Sequence, residues 1–301
     1  MNRFMIGQYG RFDYNKFRRD FKPGFYGIEA CLFEREEDAE HLLKEAGDHG
    51  FRIGIHFPLR AGRYKHRDAL LLSDDKGTRE AAYADVEQEL SYLRRLRPDY
   101  VLFHYPKPVI MDDRVDWTLW RFSDRSEYAW ESEYSLETLR EGSEQLFEWL
   151  DRKSREYDFT PVLELDGLNR YLYGTDLLES LLCRYPGIRL CLDTGRLYLQ
   201  ERVDPYFDAK AVLEAYAPYA KLIHLSNTNI AEGRVRFNHY PVHPAQKPEE
   251  GWAPMEDYLR IIAARNPAVQ ILFEHNSALI SDEELAQCYE WVCELMNGIS
   301  S

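Results

Sequence analysis

The chain has 301 residues, 45% of them hydrophobic and 30% charged, which excludes a disordered polypeptide and supplies apolar material for a large buried core. Its 52 acidic residues outnumber 38 basic ones, for a formal charge of −14. That balance disfavours a nucleic acid or an anionic membrane as partner, because both gain affinity from neutralisation by Lys and Arg.

Short β-type runs alternate with amphipathic helical runs along the chain. Strands are predicted at residues 4–8 and 26–31, followed by a helix at 38–49 and a strand at 52–56. A long connection over 57–78 then carries Arg60, Arg63, Lys65, His66 and Arg67. The helix predicted at 79–96 repeats Val86, Leu90, Leu93 and Leu96 at helical spacing and leads to a strand at 100–104. A second long connection, 105–134, holds Trp117, Trp120, Phe122, Tyr128 and Trp130. It reads either as a lid over a site or as an ordered excursion with its own aromatic cluster.

Beyond it come a helix at 135–157, a strand at 160–165, a helix at 175–183 and a strand at 188–192. A helix at 209–216, a strand at 221–225, a helix at 254–264, a strand at 270–274 and a helix at 281–296 complete the series. Ser281-Asp-Glu-Glu284 has the form of a capping box, and Pro98, Pro186 and Pro267 each fall between a helix and a strand. Eight strands separated by helices predict an α/β fold, a (β/α)8 TIM barrel forming one domain over 1–301, with a doubly wound sheet as the alternative.

The five cysteines, Cys31, Cys183, Cys191, Cys288 and Cys293, are odd in number and lack C-x-x-C spacing, as expected of reduced structural thiols. The opening MNRFMIGQYGRF has no apolar stretch long enough for a signal peptide, and no window reaches the length of a membrane span. A cytoplasmic chain is the expectation.

The chemistry is concentrated at the strand ends. IGIHFP places His56, VLFHYP places His104, PVLELDG places Glu164, LCLDTGR places Asp193, LIHLSN places His224 and ILFEHN places Glu274. Each alone reads most simply as a hydrogen-bonded structural residue or a helix cap. Six successive strands ending in a ligand-type side chain point to one or two divalent ions at the barrel mouth. Mixed imidazole and carboxylate donors suit Zn, Mn or Co, and Mg where carboxylates dominate.

At CLDTGR, LIHLSN and ILFEHN, and weakly at FYGIEA, the chain resembles the xylose-isomerase-like TIM barrels, which include endonuclease IV and the sugar epimerases and isomerases. The resemblance implies that Glu164, Asp193, His224 and Glu274 occupy the shared metal positions. It implies further that His56 and His104 match the pair holding an additional zinc in the endonuclease IV branch, with Glu164 bridging. Arg196 stands where the family's Asp-x-Gly-His motif has His, and FNHYPVHPAQKPEEGW offers His239 and His243 without an Asp-x-His, which argues against a trinuclear centre.

Two reaction classes fit. In one, Glu164 and Glu274 move a proton next to the carbonyl of a sugar or sugar phosphate; Arg196, His243, Arg60 or Arg63, Trp117 and Trp120 are candidates to hold that small-molecule substrate. In the other, a two-metal site hydrolyses a phosphodiester or ester. A metal-binding barrel without catalysis is the third reading. Arg196 has a second expected role, a salt bridge to a ligand carboxylate. Glu29 is expected to form a structural hydrogen bond, and His275 to point away from Glu274.

Overall fold

The computed structural model describes residues 1–298. Eight strands form a closed barrel: β1 (Phe4–Tyr9), β2 (Gly27–Cys31), β3 (Arg52–His56), β4 (Tyr100–Tyr105), β5 (Thr160–Leu165), β6 (Arg189–Asp193), β7 (Ala220–Leu225) and β8 (Gln270–Phe273). Each pairs in parallel with the next, and β8 pairs with β1. Closure rules out the doubly wound alternative.

Two apolar layers hold the barrel. Met5, Tyr100, Leu102, Val162, Cys191, Leu222 and Leu272 form a small cluster filling the barrel interior. The larger cluster packs the outward strand faces against the helices, with Leu139, Leu146, Phe147 and Leu150 from the helix Leu136–Tyr157 among its members. Side chains along a strand alternate between faces, so each strand contributes to both layers. Gly54 makes room inside: a Cβ there would lie 2.2 Å from the Tyr100 ring, which is fully buried.

Helix starts follow local chemistry. Ser281 caps the helix Asp282–Met296 through a complete capping box with Glu284, and Ser135 and Asp75 cap Leu136–Tyr157 and Lys76–Leu93. Several elements lie outside the predicted pattern. The helix Tyr14–Asp20 is short, and Thr194–Val203 buries Thr194, Gly195, Leu197, Tyr198 and Gln200 with no single apolar stripe. Asn227–Ala231 and Arg234–Tyr240 form an antiparallel hairpin whose turn residues, Glu232 and Gly233, both have positive φ, the conformation that suits two-residue hairpin loops.

The connection after β4 is an ordered excursion. Val109–Met111 pairs with Tyr128–Trp130, and Val109, Met111, Val115, Trp117 and Trp120 share their own apolar cluster. Among the described residues, no helix is long and apolar enough to cross a membrane.

Candidate metal centre

Strand alternation builds the centre. The interior plug residues Leu102, Val162, Cys191, Leu222 and Leu272 are each followed two positions later by His104, Glu164, Asp193, His224 and Glu274. A spacing of two keeps a side chain on the same face, so this second layer also points inward, one step nearer the mouth. Gly54 and His56 repeat the relation on β3. Register adds the lateral match, with His104 opposite Glu164 and Asp193 opposite His224.

Glu164, Asp193, His224 and Glu274 each offer a ligand atom within 4.8 Å of the others, and His56, His104 and Glu164 form a second such set. Glu164 belongs to both. Its Oε2 lies 3.0 Å from His104 Nε2 and 3.3 Å from His56 Nε2, while its Oε1 lies 3.3 Å from His224 Nδ1. Glu274 Oε2 is 3.1 Å from the same His224 nitrogen.

Each histidine has its other ring nitrogen tied to an acceptor outside the centre. His56 Nδ1 donates to the Phe57 carbonyl at 3.0 Å, His104 Nδ1 to Asp68 at 2.9 Å, and His224 Nε2 to Glu29 at 3.2 Å. These bonds assign the tautomers, so in the neutral rings the inward nitrogens carry lone pairs. Glu29 is itself held by Tyr100 Oη at 2.8 Å, which links the barrel plug to the centre. Asp68 had no signal in the sequence beyond its place in a charged loop.

A further cluster, Asp68, His104 and Asp166, also meets the spacing for a cation, but a protein cation already serves it. Lys107 Nζ lies 2.8 Å from Asp68 and 3.1 Å from Asp166, with its side chain buried. Arg196 Nη1 closes the group at 2.6 Å from Asp166, and its Nε lies 3.2 Å from Asp193 and 3.4 Å from Glu164. Arg196 therefore takes the salt-bridge role among the ligand carboxylates.

The electrostatics show how strongly these carboxylates require positive charge. Burial pushes Glu164 up, yet Arg196, His224 and His104 overcome it and hold the carboxyl well below its usual range. Glu274 likewise falls to about 2 against the effect of burial, chiefly through His224. Asp193 rises through burial and the nearby Glu274. Burial opposes charging of His104 and His224, but Asp68 and Glu164 raise the first, and Glu29, Glu274 and Glu164 are among the groups that raise the second well above the imidazole norm.

A divalent cation fits this donor set. Glu164 Oε2, His224 Nδ1 and Glu274 Oε2 are buried atoms with no hydrogen-bond partner, a costly arrangement that coordination would satisfy. His56 Nε2 and His104 Nε2 stand 3.2 Å apart, and Arg196 Nη2 lies 3.3 Å from the same His104 nitrogen, so the two lone pairs face a place that a proton, the guanidinium or a metal ion can serve.

The other predicted residues divide. Trp120 lines a cavity beside the centre together with Arg196. Trp117 packs edge-on against it at 5.8 Å and donates its ring N–H to the Asp112 carbonyl, inside the loop cluster. Arg60 points elsewhere: it binds Glu89 at 2.7 and 2.9 Å, because that buried carboxylate needs a fixed counterion. His243 is also turned away, with Nε2 3.1 Å from Gln287 on the outer helix and Nδ1 accepting from Ala245. His275, buried beside Lys16 and Arg19, is pushed down to about 3 by burial and those charges.

The xylose isomerase-like TIM barrel family matches the chain over residues 22–294. No curated protein matches it. Among solved structures, a Thermus thermophilus protein soaked with ZnCl2 is 16% identical, with TM-score 0.61 and coverage of 99% of this chain and 100% of that one. A D-psicose 3-epimerase crystallised in the presence of D-fructose is 14% identical, with TM-score 0.60 and coverage of 98% and 100%. Endonuclease IV from Thermus thermophilus is 15% identical, with TM-score 0.51 and coverage of 98% and 99%. At these identities the likeness is one of fold.

Proposed function

The chain belongs to the xylose isomerase-like TIM barrel family, and from that premise we propose that it is a divalent-metal-dependent isomerase or epimerase acting on a small polyhydroxy carbonyl compound. The observation that carries this reading is the convergence of Glu164, Asp193, His224 and Glu274, with three buried ligand atoms that lack any hydrogen-bond partner. The similarity in fold to a D-psicose 3-epimerase supports it, as does the zinc-soaked neighbour for the cofactor.

Those four residues would hold the shared ion, and His56, His104 and Glu164 a second one. Zn, Mn or Co suits the mixed donors, and Mg suits the carboxylate-rich set. A bound ion supplies Lewis acidity, stabilising negative charge on the oxygens flanking the reacting carbon. The protein's own groups do the rest. Glu164 and Glu274 take and return the proton at the carbon beside the carbonyl. Glu274, with 18% of its side chain exposed, meets the substrate from the solvent side, while Glu164, at 1%, acts from within. Arg196 fixes the orientation of Glu164 and Asp193, and Trp120 gives the substrate an apolar wall that excludes water.

In D2O, the metal-loaded protein should place solvent deuterium at the carbon beside the carbonyl of a keto-sugar, and Glu274→Gln, assayed with enough added metal to restore occupancy, should abolish that exchange. No exchange across a broad panel of keto-sugars and keto-sugar phosphates would overturn the proposal. A second reading, hydrolysis of a phosphodiester or ester at a two-ion centre, draws on the His56–His104–Glu164 set. Cleavage of abasic-site DNA by clean preparations would favour it.

A further inference from the structure

We infer that the cavity beside the metal centre is an anion subsite, in which Arg121 and Arg236 on the rim and Ser226 at the floor bind a phosphate or carboxylate carried by the substrate. The inference deepens the proposed sugar reading and rests on it only for the identity of the rest of the molecule.

The cavity measures 390 Å³, enough for a small sugar bearing one such group. Asp193 and Arg196 belong both to its wall and to the centre, so a molecule seated there reaches the ligand carboxylates with one end. Three arginines, Arg121, Arg196 and Arg236, line it against the single acid Asp193, although acidic residues outnumber basic ones 52 to 38 in the whole chain. Arg196 is committed to Asp166 and Asp193. Arg121 is exposed, and Arg236 pairs with Glu232, whose side chain is 84% exposed. Such a surface pair exchanges at little cost, so both rim guanidinium groups are available to a ligand.

The floor supplies an independent sign. The Ser226 hydroxyl is buried and has no hydrogen-bond partner, though the residue is only 1% exposed and lines this cavity. An unmade bond of that kind is expensive, and an oxygen acceptor in the cavity would complete it. Gly195 keeps the floor open: a Cβ there would sit 3.0 Å from Thr228 Oγ1 and 3.3 Å from both Ser226 Oγ and Asp193 Oδ1. Thr228 donates to Asn238 Oδ1 at 3.0 Å, leaving the amide N–H groups of Asn238 as further donors. Planar guanidinium forks with neutral donors below them match the oxygens of phosphate or carboxylate, whereas a neutral sugar hydroxyl would bring no charge to answer theirs.

The test is calorimetric titration of the purified protein with inorganic phosphate and, separately, with acetate. It compares the wild type, Arg121→Gln/Arg236→Gln, and a control with the same charge change on the outer helices, Arg18→Gln/Arg152→Gln. At least one anion should bind saturably, the rim double variant should weaken it tenfold or more, and the control should change it less than twofold. The preferred anion tells phosphate from carboxylate, and either supports the subsite. Absence of saturable binding by both anions, or equal affinity in the rim variant, overturns it. Metal content and Tm, measured in parallel, separate this outcome from failure of the metal reading. Phosphate held by an ion at the centre would survive the rim substitutions.

Discussion

His56, His104 and His224 each face the centre with one ring nitrogen because the other is bonded to Phe57, Asp68 or Glu29. Such outer partners fix the tautomer and raise the basicity of the ligand. Asp68→Asn removes the charge that aligns His104 and leaves Lys107 with one fewer anion. Metal affinity should fall about 10- to 100-fold, measured by competition with a chelator, while Asp68→Glu recovers part of it. Glu164→Gln should have a broader effect, because that carboxylate belongs to both sets: metal content by elemental analysis should fall for both ions at once. Retention of two ions per chain in that variant would remove Glu164 from the bridging position.

Among the elements, β3 and β4 are linked to the centre by a chain of contacts. Gly54 lies against the Tyr100 ring, Tyr100 holds Glu29, and Glu29 holds His224. Gly54→Ala should therefore cost about 1–3 kcal/mol in denaturant unfolding through overpacking, and weaken metal binding as well, since the displaced ring carries Glu29 with it. Ser281→Ala on the last helix makes a useful contrast. Loss of its capping box should cost about 1 kcal/mol with no change in metal affinity, because that helix start lies on the outside of the barrel.

Across the whole molecule, the proposed metal binding would be coupled to folding. An ion that binds only the folded chain stabilises it by about 2.7 kcal/mol at a hundredfold excess over Kd, so Zn or Mn should raise Tm and a chelator should reverse the gain. The pH dependence follows from the histidines. His104 and His224 are raised above the imidazole norm, so the stability they contribute is complete below the unfolded value and is lost as pH rises through the folded one. Protons compete with the ion for the same nitrogens. The Tm gain from Zn should therefore grow as pH rises from about 6, near the ordinary imidazole value, through the raised values of the folded rings; a gain independent of pH throughout that range would mean that these rings are not ligands.

The alternation of apolar strands and amphipathic helices made the barrel legible, because burying a parallel strand on both faces demands continuous apolar runs. It also made the six side chains at the strand ends visible, since a period of two carries an inward face from the plug to the mouth. Asp193 in CLDTGR and His224 in LIHLSN needed only that periodicity. What the sequence left open was decided by contacts between residues far apart in the chain. Arg60 and Arg196 look equivalent as charged residues after strands, yet one serves buried Glu89 and the other the centre. Asp68 and Lys107 gave no periodic signal because they lie in loops, where position depends on what the loop packs against. Closure of the barrel chose their partners, since hydrogen bonding and charge pairing act over a few ångströms of space and not over spacing along the chain.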